Sequence, residues 1–423
     1  MRKARFPDVM PGAIRAGFAG CMVLVFLILM FAFVSVQPSP AQTYNVIYRF
    51  TAGADGQNPT TGVTMDRAGN LYGTTSGGDN GYDASVFRLT HSGSGWLMAP
   101  LDTAPGGTPQ DIVVGPNGSL YGAAEYGSFG NCGTVFNDRP PAHVPYSVLE
   151  PWVHTDLYGF DCGSGARNPV GALLFDQGGN IYGASYGGGG CAWAPSGCGT
   201  VYKLTLLNGQ WTENVLYSFA GGDDGAWPYS GVVADQAGNL YGTTLNGGGA
   251  SACVDGCGTV YELTPTGSGW TETVLYRFQG GMDGALPCGG LVIGPDGNLY
   301  GATSQPGVVF ELSYRDQRWN FSVIASESGS MASLIMAGSG VLYGTSRDDG
   351  PYGYGGVYQL KRLSQSEWIY SRLHNFTGGS DGAQPMGRLY RDANGNLYGT
   401  TMYGGGANNC QPTGCGVVFE ITP

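Results

Sequence analysis

One seven-residue word recurs along this chain. Gly-Asn-Leu-Tyr-Gly-Thr-Thr stands at 69–75, 238–244 and 395–401, with close variants at 118–124, 179–185, 297–303 and 340–346. Its tyrosines are Tyr72, Tyr121, Tyr182, Tyr241, Tyr300, Tyr343 and Tyr398, at successive spacings of 49, 61, 59, 59, 43 and 55 residues. A period of this size marks one supersecondary unit per repeat, each stacked on its neighbours. Length alone would suggest two or three domains; the repeat predicts one closed body instead.

Residues 231–278 show what a unit builds. Gly231–Asp235 alternates as a short strand, Asp235–Asn239 is a tight turn, and Asn239–Thr244 is a second strand. A glycine-rich loop from Gly247 to Gly258 leads to a third strand, Thr259–Thr264. A turn then leads to a fourth, Trp270–Phe278. Four antiparallel strands joined by short connections make one propeller blade. Glycine supplies 76 of the 423 residues, yet the glycines recur at fixed places among Val, Leu, Tyr and Phe, as turn residues do. No stretch after residue 41 carries sustained helical periodicity. The expected fold is an all-β, seven-bladed β-propeller of four-stranded antiparallel blades.

The fourth strand fixes the register. It runs nine residues from Trp to Phe in Trp152–Phe160, Trp211–Phe219, Trp270–Phe278 and Trp368–Phe376, while Trp96 and Trp319 open it with looser endings. The last repeat ends on its third strand, Val417–Thr422. Tyr44–Phe50 resembles the missing fourth strand, so the first and last segments are expected to share a blade. Pairing them removes the open edges that invite aggregation.

Residues 1–41 read as a signal peptide, with an N-terminal anchor as the alternative. They hold Arg2, Lys3, Arg5 and Arg15 ahead of an apolar run from Cys21 to Val36, then Ser39-Pro40-Ala41 as a cleavage site. Residues 42–423 are then a single propeller domain, secreted or in the cell envelope, with no membrane span if the signal is cleaved. Of the 19 basic and 31 acidic residues, 15 and 30 fall after residue 41. Such a surface repels phosphate backbones and excludes nucleic acid as a partner. A monomer is expected.

Ten cysteines in an exported chain point to disulfides. Cys191/Cys198, Cys253/Cys257 and Cys410/Cys415 fall in equivalent loops between second and third strands. Cys132 holds the same loop position, and Cys162 lies in a connection on the same face. Cys132–Cys162 is the expected fourth bridge, leaving Cys288 free. No metal site is expected, since the paired cysteines belong to different blades and no histidine accompanies them. Asp55, Asp224, Asp283 and Asp381 each begin an Asp-Gly turn; a ring of them would suit calcium, against the ordinary role of Asp in satisfying turn N–H groups. No other cofactor is indicated.

The repeated words resemble those of the GloVer tandem-repeat proteins, the "choice-of-anchor" group of exported bacterial proteins. The resemblance rests on Gly-Asn-Leu-Tyr-Gly-Thr-Thr, Gly-Gly-Gly and Cys-Gly-Thr-Val-Tyr-x-Leu-Thr, recurring in order over nearly all of 44–423. It implies a secreted or surface repeat protein with no established activity. The sequence departs from that group's varied C-terminal anchors by closing on Thr422-Pro423 without a sorting tail.

Catalytic words are absent. His91, His143, His154 and His374 are scattered, and there is no nucleophile elbow, zinc-protease motif or phosphate loop. Trp193 and Trp227 stand outside the repeat, in loops of one face, with Tyr186, Tyr229, Tyr352, Tyr354 and Tyr403 in the same loop classes. Flat rings on rigid loops stack on sugars or anchor protein partners; capping the blade ends is the competing role. Glu125 and Asp348 stand where other repeats have Thr, Asn or Gly-type loop residues, and are the least framework-like acids. The favoured reading is a binding or surface-interaction module for a glycan or a cell-surface partner. A carbohydrate-active enzyme, a hydrolase or lyase with acids near the central channel, is the alternative, and a structural envelope repeat protein is the third.

Overall fold

The computed structural model describes residues 42–77, 84–93, 95–103, 107, 109–127, 132–141, 152–191, 194–327, 331–406, 410 and 412–422. The signal or anchor reading of 1–41 lies outside the described residues, as does Trp193. Every named element is a strand, and the strands form seven four-stranded antiparallel sheets, the blades of a β-propeller. Thr43–Pro423 form one unit by their contacts. In blade four the strands are Val233–Ala234, Leu240–Thr244, Thr259–Thr266 and Gly269–Arg277, paired in chain order.

The seventh blade is made from both ends of the chain. Thr43–Arg49 pairs antiparallel with Val417–Thr422, from Thr43 opposite Thr422 to Arg49 opposite Val417. It is the outermost strand, in the order that follows with Leu397–Thr401 and Tyr390–Arg391. The expected closure is therefore the observed one.

The hairpin turn explains the first half of the repeated word. Asp235 Oδ1 accepts the backbone N–H groups of Ala237 and Asn239, each at 2.9 Å. Its Oδ2 accepts the Asn239 side-chain amide at 2.9 Å and the Tyr241 hydroxyl at 3.1 Å. The same carboxylate cradle recurs at Asp66, Asp176 and Asp392. Gly238 carries φ +87°, which a side chain rarely adopts, so glycine closes the turn. The segment 392–396 is thus a hairpin turn.

The glycine after each repeated tyrosine has a different cause. The third-strand aromatic of the same blade lies across it. A Cβ on Gly242 would sit 2.3 Å from the Tyr261 hydroxyl, and one on Gly73 would sit 2.5 Å from the Phe87 ring. Phe136, Tyr202, Phe310, Tyr358 and Phe419 cover Gly122, Gly183, Gly301, Gly344 and Gly399 alike.

Blades lock to one another through aromatic rings. The phenylalanine closing a fourth strand meets the next blade's third-strand ring edge to face. Phe219–Tyr261 at 5.0 Å, Phe160–Tyr202 at 5.1 Å and Phe50–Phe87 at 5.2 Å are three of five such pairs. Nearer the rim, the repeated tyrosine meets the next blade's tryptophan, as in Tyr72–Trp152 and Tyr300–Trp368. Offset and edge-on pairs of this kind each add about 0.5–1.5 kcal/mol beyond the area they bury.

Candidate functional site

The loops on one face are held by the disulfides and by a backbone lock. The bridges are Cys132–Cys162, Cys191–Cys198, Cys253–Cys257 and Cys410–Cys415, with Cys288 free. The carbonyl of Cys132, and of the second cysteine in each of the other three bridges, accepts an N–H from the next blade. Asn58 donates to Cys415 at 2.8 Å, Asn168 to Cys132 at 2.7 Å, Trp227 to Cys198 at 2.7 Å and Leu286 to Cys257 at 2.8 Å. These donors hold φ between 53° and 58°, and each precedes a proline. The glycine after each of those cysteines abuts that proline's Cδ, as Gly258 does Pro287. Each cysteine loop is thereby fixed to the connection entering the following blade.

The Asp-Gly carboxylates are used within these connections. The hydroxyls of Tyr48, Tyr217 and Tyr276 donate to Asp55, Asp224 and Asp283 at 3.0, 3.1 and 3.0 Å. The backbone N–H groups of Thr51, Ala220, Gln279 and Thr377 donate to the four aspartates in turn. Among the described residues no three His, Cys, Asp or Glu side chains gather around one point.

A cavity of about 1040 Å³ occupies the middle of the ring, and every blade contributes to its lining. Two loop positions supply nine of its 32 lining residues. One is the residue that follows the seven-residue word: Ser76, Glu125, Ser304 and Arg347 line the cavity from there. The other is the residue that follows the inter-blade proline, which gives Thr60, Gln110, Tyr229, Cys288 and Met386. Apart from the serines at 76 and 304, neither position repeats its residue type around the ring, although the framework on both sides does. Three carboxylates (Asp111, Glu125, Asp348) and two guanidinium groups (Arg347, Arg388) belong to the lining. Asp111 accepts the N–H of Gly62 in blade one at 2.9 Å, so it is partly engaged in joining blades.

Glu125 sits among tyrosines. Burial pushes its carboxyl above the usual carboxylate range, and only the Tyr126 hydroxyl opposes that shift. The Glu125 charge is the first cause that raises the Tyr126 pKa, while Tyr186 and Tyr229 are raised first by burial and then by that charge. Tyr186 stacks on Trp227 at 5.5 Å and meets Tyr229 edge to face at 6.3 Å. Tyr229 is 51% exposed and Tyr126 42%.

The sequence candidates therefore separate into groups. Tyr186, Trp227 and Tyr229 come together beside Glu125. Trp227 also has a framework role: its indole N–H donates to the Gly197 carbonyl at 3.1 Å, and it packs against a buried cluster. Tyr352, Tyr354 and Tyr403 belong to blades six and seven, and none of them lines the cavity. Tyr354 lies against Gly378, and its carbonyl accepts the Gln384 N–H where other blades use a cysteine carbonyl. Glu125 and Asp348, singled out for breaking the repeat, both line the cavity. Sequence reasoning passed over Tyr126, Arg347 and Arg388. The rule that selected Glu125 would have found Arg347, since both directly follow the repeated word.

Comparison with solved structures reveals the same fold in distant proteins. Virginiamycin B lyase from Staphylococcus aureus, a catalytically inactive form with quinupristin, is 11% identical with a TM-score of 0.54, covering 90% of this chain and 100% of that one. A protein from Lactobacillus plantarum is 13% identical with a TM-score of 0.52, covering 78% and 88%. An ulvan lyase, a polysaccharide lyase bound to a GlcA(1-4)Rha3S saccharide, is 10% identical with a TM-score of 0.51, covering 90% and 93%. At such identities the likeness is one of fold. No curated protein matches the sequence significantly. The sequence does match the family model described as the Gloeobacter/Verrucomicrobia repeat, over residues 151–308 and 249–423, and the chain belongs to that family.

Proposed function

We propose that this protein is an exported binding module that takes a glycan, or the glycan of a cell-envelope partner, in the central cavity. The observation that carries the reading is the pair of non-repeating loop positions. Seven blades repeat the residues that packing demands, whereas these two positions on the cavity lining vary from blade to blade. Residues freed from the framework and gathered on a rigid scaffold are what a recognition surface requires. Exposed tyrosines beside polar groups suit the faces and hydroxyls of a sugar. The four disulfides fit a chain that matures in an oxidising compartment, consistent with export. That an ulvan lyase of this fold takes a saccharide is compatible with the reading, but fold alone does not carry function.

One observation favours the enzyme reading as the second. Glu125, held above the usual carboxylate range, shares a cavity with Asp348. Two carboxyl groups in one cavity are the kind of pair that glycoside cleavage uses. A polysaccharide screen that measures binding and turnover on the same samples separates the readings. Saturable binding without products supports the module, and released oligosaccharides support the enzyme. Neither result would leave a purely structural role in the envelope.

A further inference from the structure

We propose that the Glu125 end of the cavity recognises a cationic nitrogen, and that the glycan bound there is one bearing free amino sugars. This rests on the glycan-binding reading above and names its ligand class. The starting point is a carboxylate without a counter-ion. Among the described residues no Lys, Arg or His side chain pairs with Glu125, which lines the cavity together with Tyr229 and is met by the Tyr126 hydroxyl. The cavity's two arginines enter from blades six and seven, while Glu125 enters from blade two. A half-buried carboxylate with no counter-ion is costly to hold, and a cation arriving beside it recovers that cost.

The surroundings narrow the cation further. Tyr126, Tyr186 and Tyr229 group around this carboxylate, two of them more than two-fifths exposed. Aromatic faces attract ammonium groups through the ring quadrupole, and several rings around one acid form the kind of cage that takes an alkylated or sugar-borne ammonium in preference to a metal ion. The scaffold is stiff at this point. Tyr186 is stacked on Trp227, whose indole and backbone N–H groups are both tied to the preceding cysteine loop. Tyr229 follows Pro228 in the same locked connection. A preorganised cage loses little entropy on binding. A neutral sugar would use the rings and leave the charge unanswered. A uronate or sulfated sugar would meet repulsion there.

The test compares a glucosamine hexamer, its fully N-acetylated counterpart and a uronate hexamer by calorimetry on the full chain, under conditions in which the amine is protonated. The free-amine oligomer is expected to bind about tenfold tighter than the acetylated one, a difference of ~1.4 kcal/mol. Glu125→Gln should bring the two to parity without lowering the denaturation midpoint. Tyr229→Ala should weaken both oligomers together. Equal affinity for the two hexamers in the unsubstituted protein, a preference for the acetylated or uronate oligomer, or a preference that survives Glu125→Gln would overturn the proposal. Binding of any of these sugars without selection for the amine leaves the glycan-binding reading standing and removes only the cationic one. Failure of all three to bind counts against both.

Discussion

Replacing Gly242 by alanine tests the central packing idea, that each blade is built around an aromatic ring lying across a glycine. The added methyl carbon would lie 2.3 Å from the Tyr261 hydroxyl oxygen and 2.5 Å from Cζ, more than 1 Å inside ordinary contact. Tyr261 is fully buried and held edge to face by Phe219 at 5.0 Å, so the ring has nowhere to go. Overpacking of this kind costs ~1–3 kcal/mol, and the depth of the overlap places Gly242→Ala at the top of that range. With Tyr261→Leu already in place no ring crosses the glycine. The same substitution should then be neutral or gain ~0.5 kcal/mol, because alanine sits better than glycine in a strand interior. Guanidinium unfolding of the wild type, the two single variants and the double variant gives the coupling, expected to be ~3–3.5 kcal/mol. Gly238→Ala is the control: its φ is +87° but nothing lies within 4 Å, so it should cost only the ~1–2 kcal/mol of a left-handed backbone, in either background. An equal cost for Gly242→Ala with and without the tyrosine would refute the ring-over-glycine account.

Three further outcomes are expected. Phe50→Ala should lower stability by ~3–5 kcal/mol in chemical denaturation, because Phe50 is fully buried in the strand that closes the ring, whereas Leu97→Ala, on a residue 64% exposed, should change it by under ~0.5 kcal/mol. Glu272, whose buried Oε1 has no hydrogen-bond partner, has its pKa pushed up to about 7 by burial first and by Asp224 second. A raised folded-state pKa means that its contribution is fully present below the ordinary carboxylate range and is lost as pH rises through about 7, so stability should fall across that window and Glu272→Gln should flatten the fall. In a chain lacking residues 1–41, unfolded without reductant, thiol titration should find Cys288 alone, and in the native protein it should react slowly because burial pushes its pKa up.

The candidate site was only partly legible in the sequence. Glu125 stood out as one of the least framework-like acids, and Tyr186, Trp227 and Tyr229 because they sat in loops of one face. Nothing in the sequence said that Glu125 of blade two would meet Tyr229 of blade four, or that Tyr352 and Tyr354 would stay off the cavity lining. Those outcomes depend on how far each connection reaches toward the ring's centre. That reach is set by the proline lock and the cysteine carbonyl, not by residue type.

The fold was legible for the opposite reason. A seven-times repeated Tyr-Gly word, preceded in four blades by Asp-x-x-Gly-Asn, encodes contacts that are local: the aspartate cradle closes a turn within six residues, and the glycine answers a ring one strand away. The glycine–ring contact is written again in every blade and the cradle in four, so the sequence repeats its own evidence. Even the closure at Tyr44–Phe50 was readable, because the missing strand of the last repeat had its copy at the other end of the chain. The cavity is the one place where seven units meet without repeating one another. Side chains there are chosen by distances across the ring, between residues far apart in the chain, and only the tertiary structure brings those distances into view.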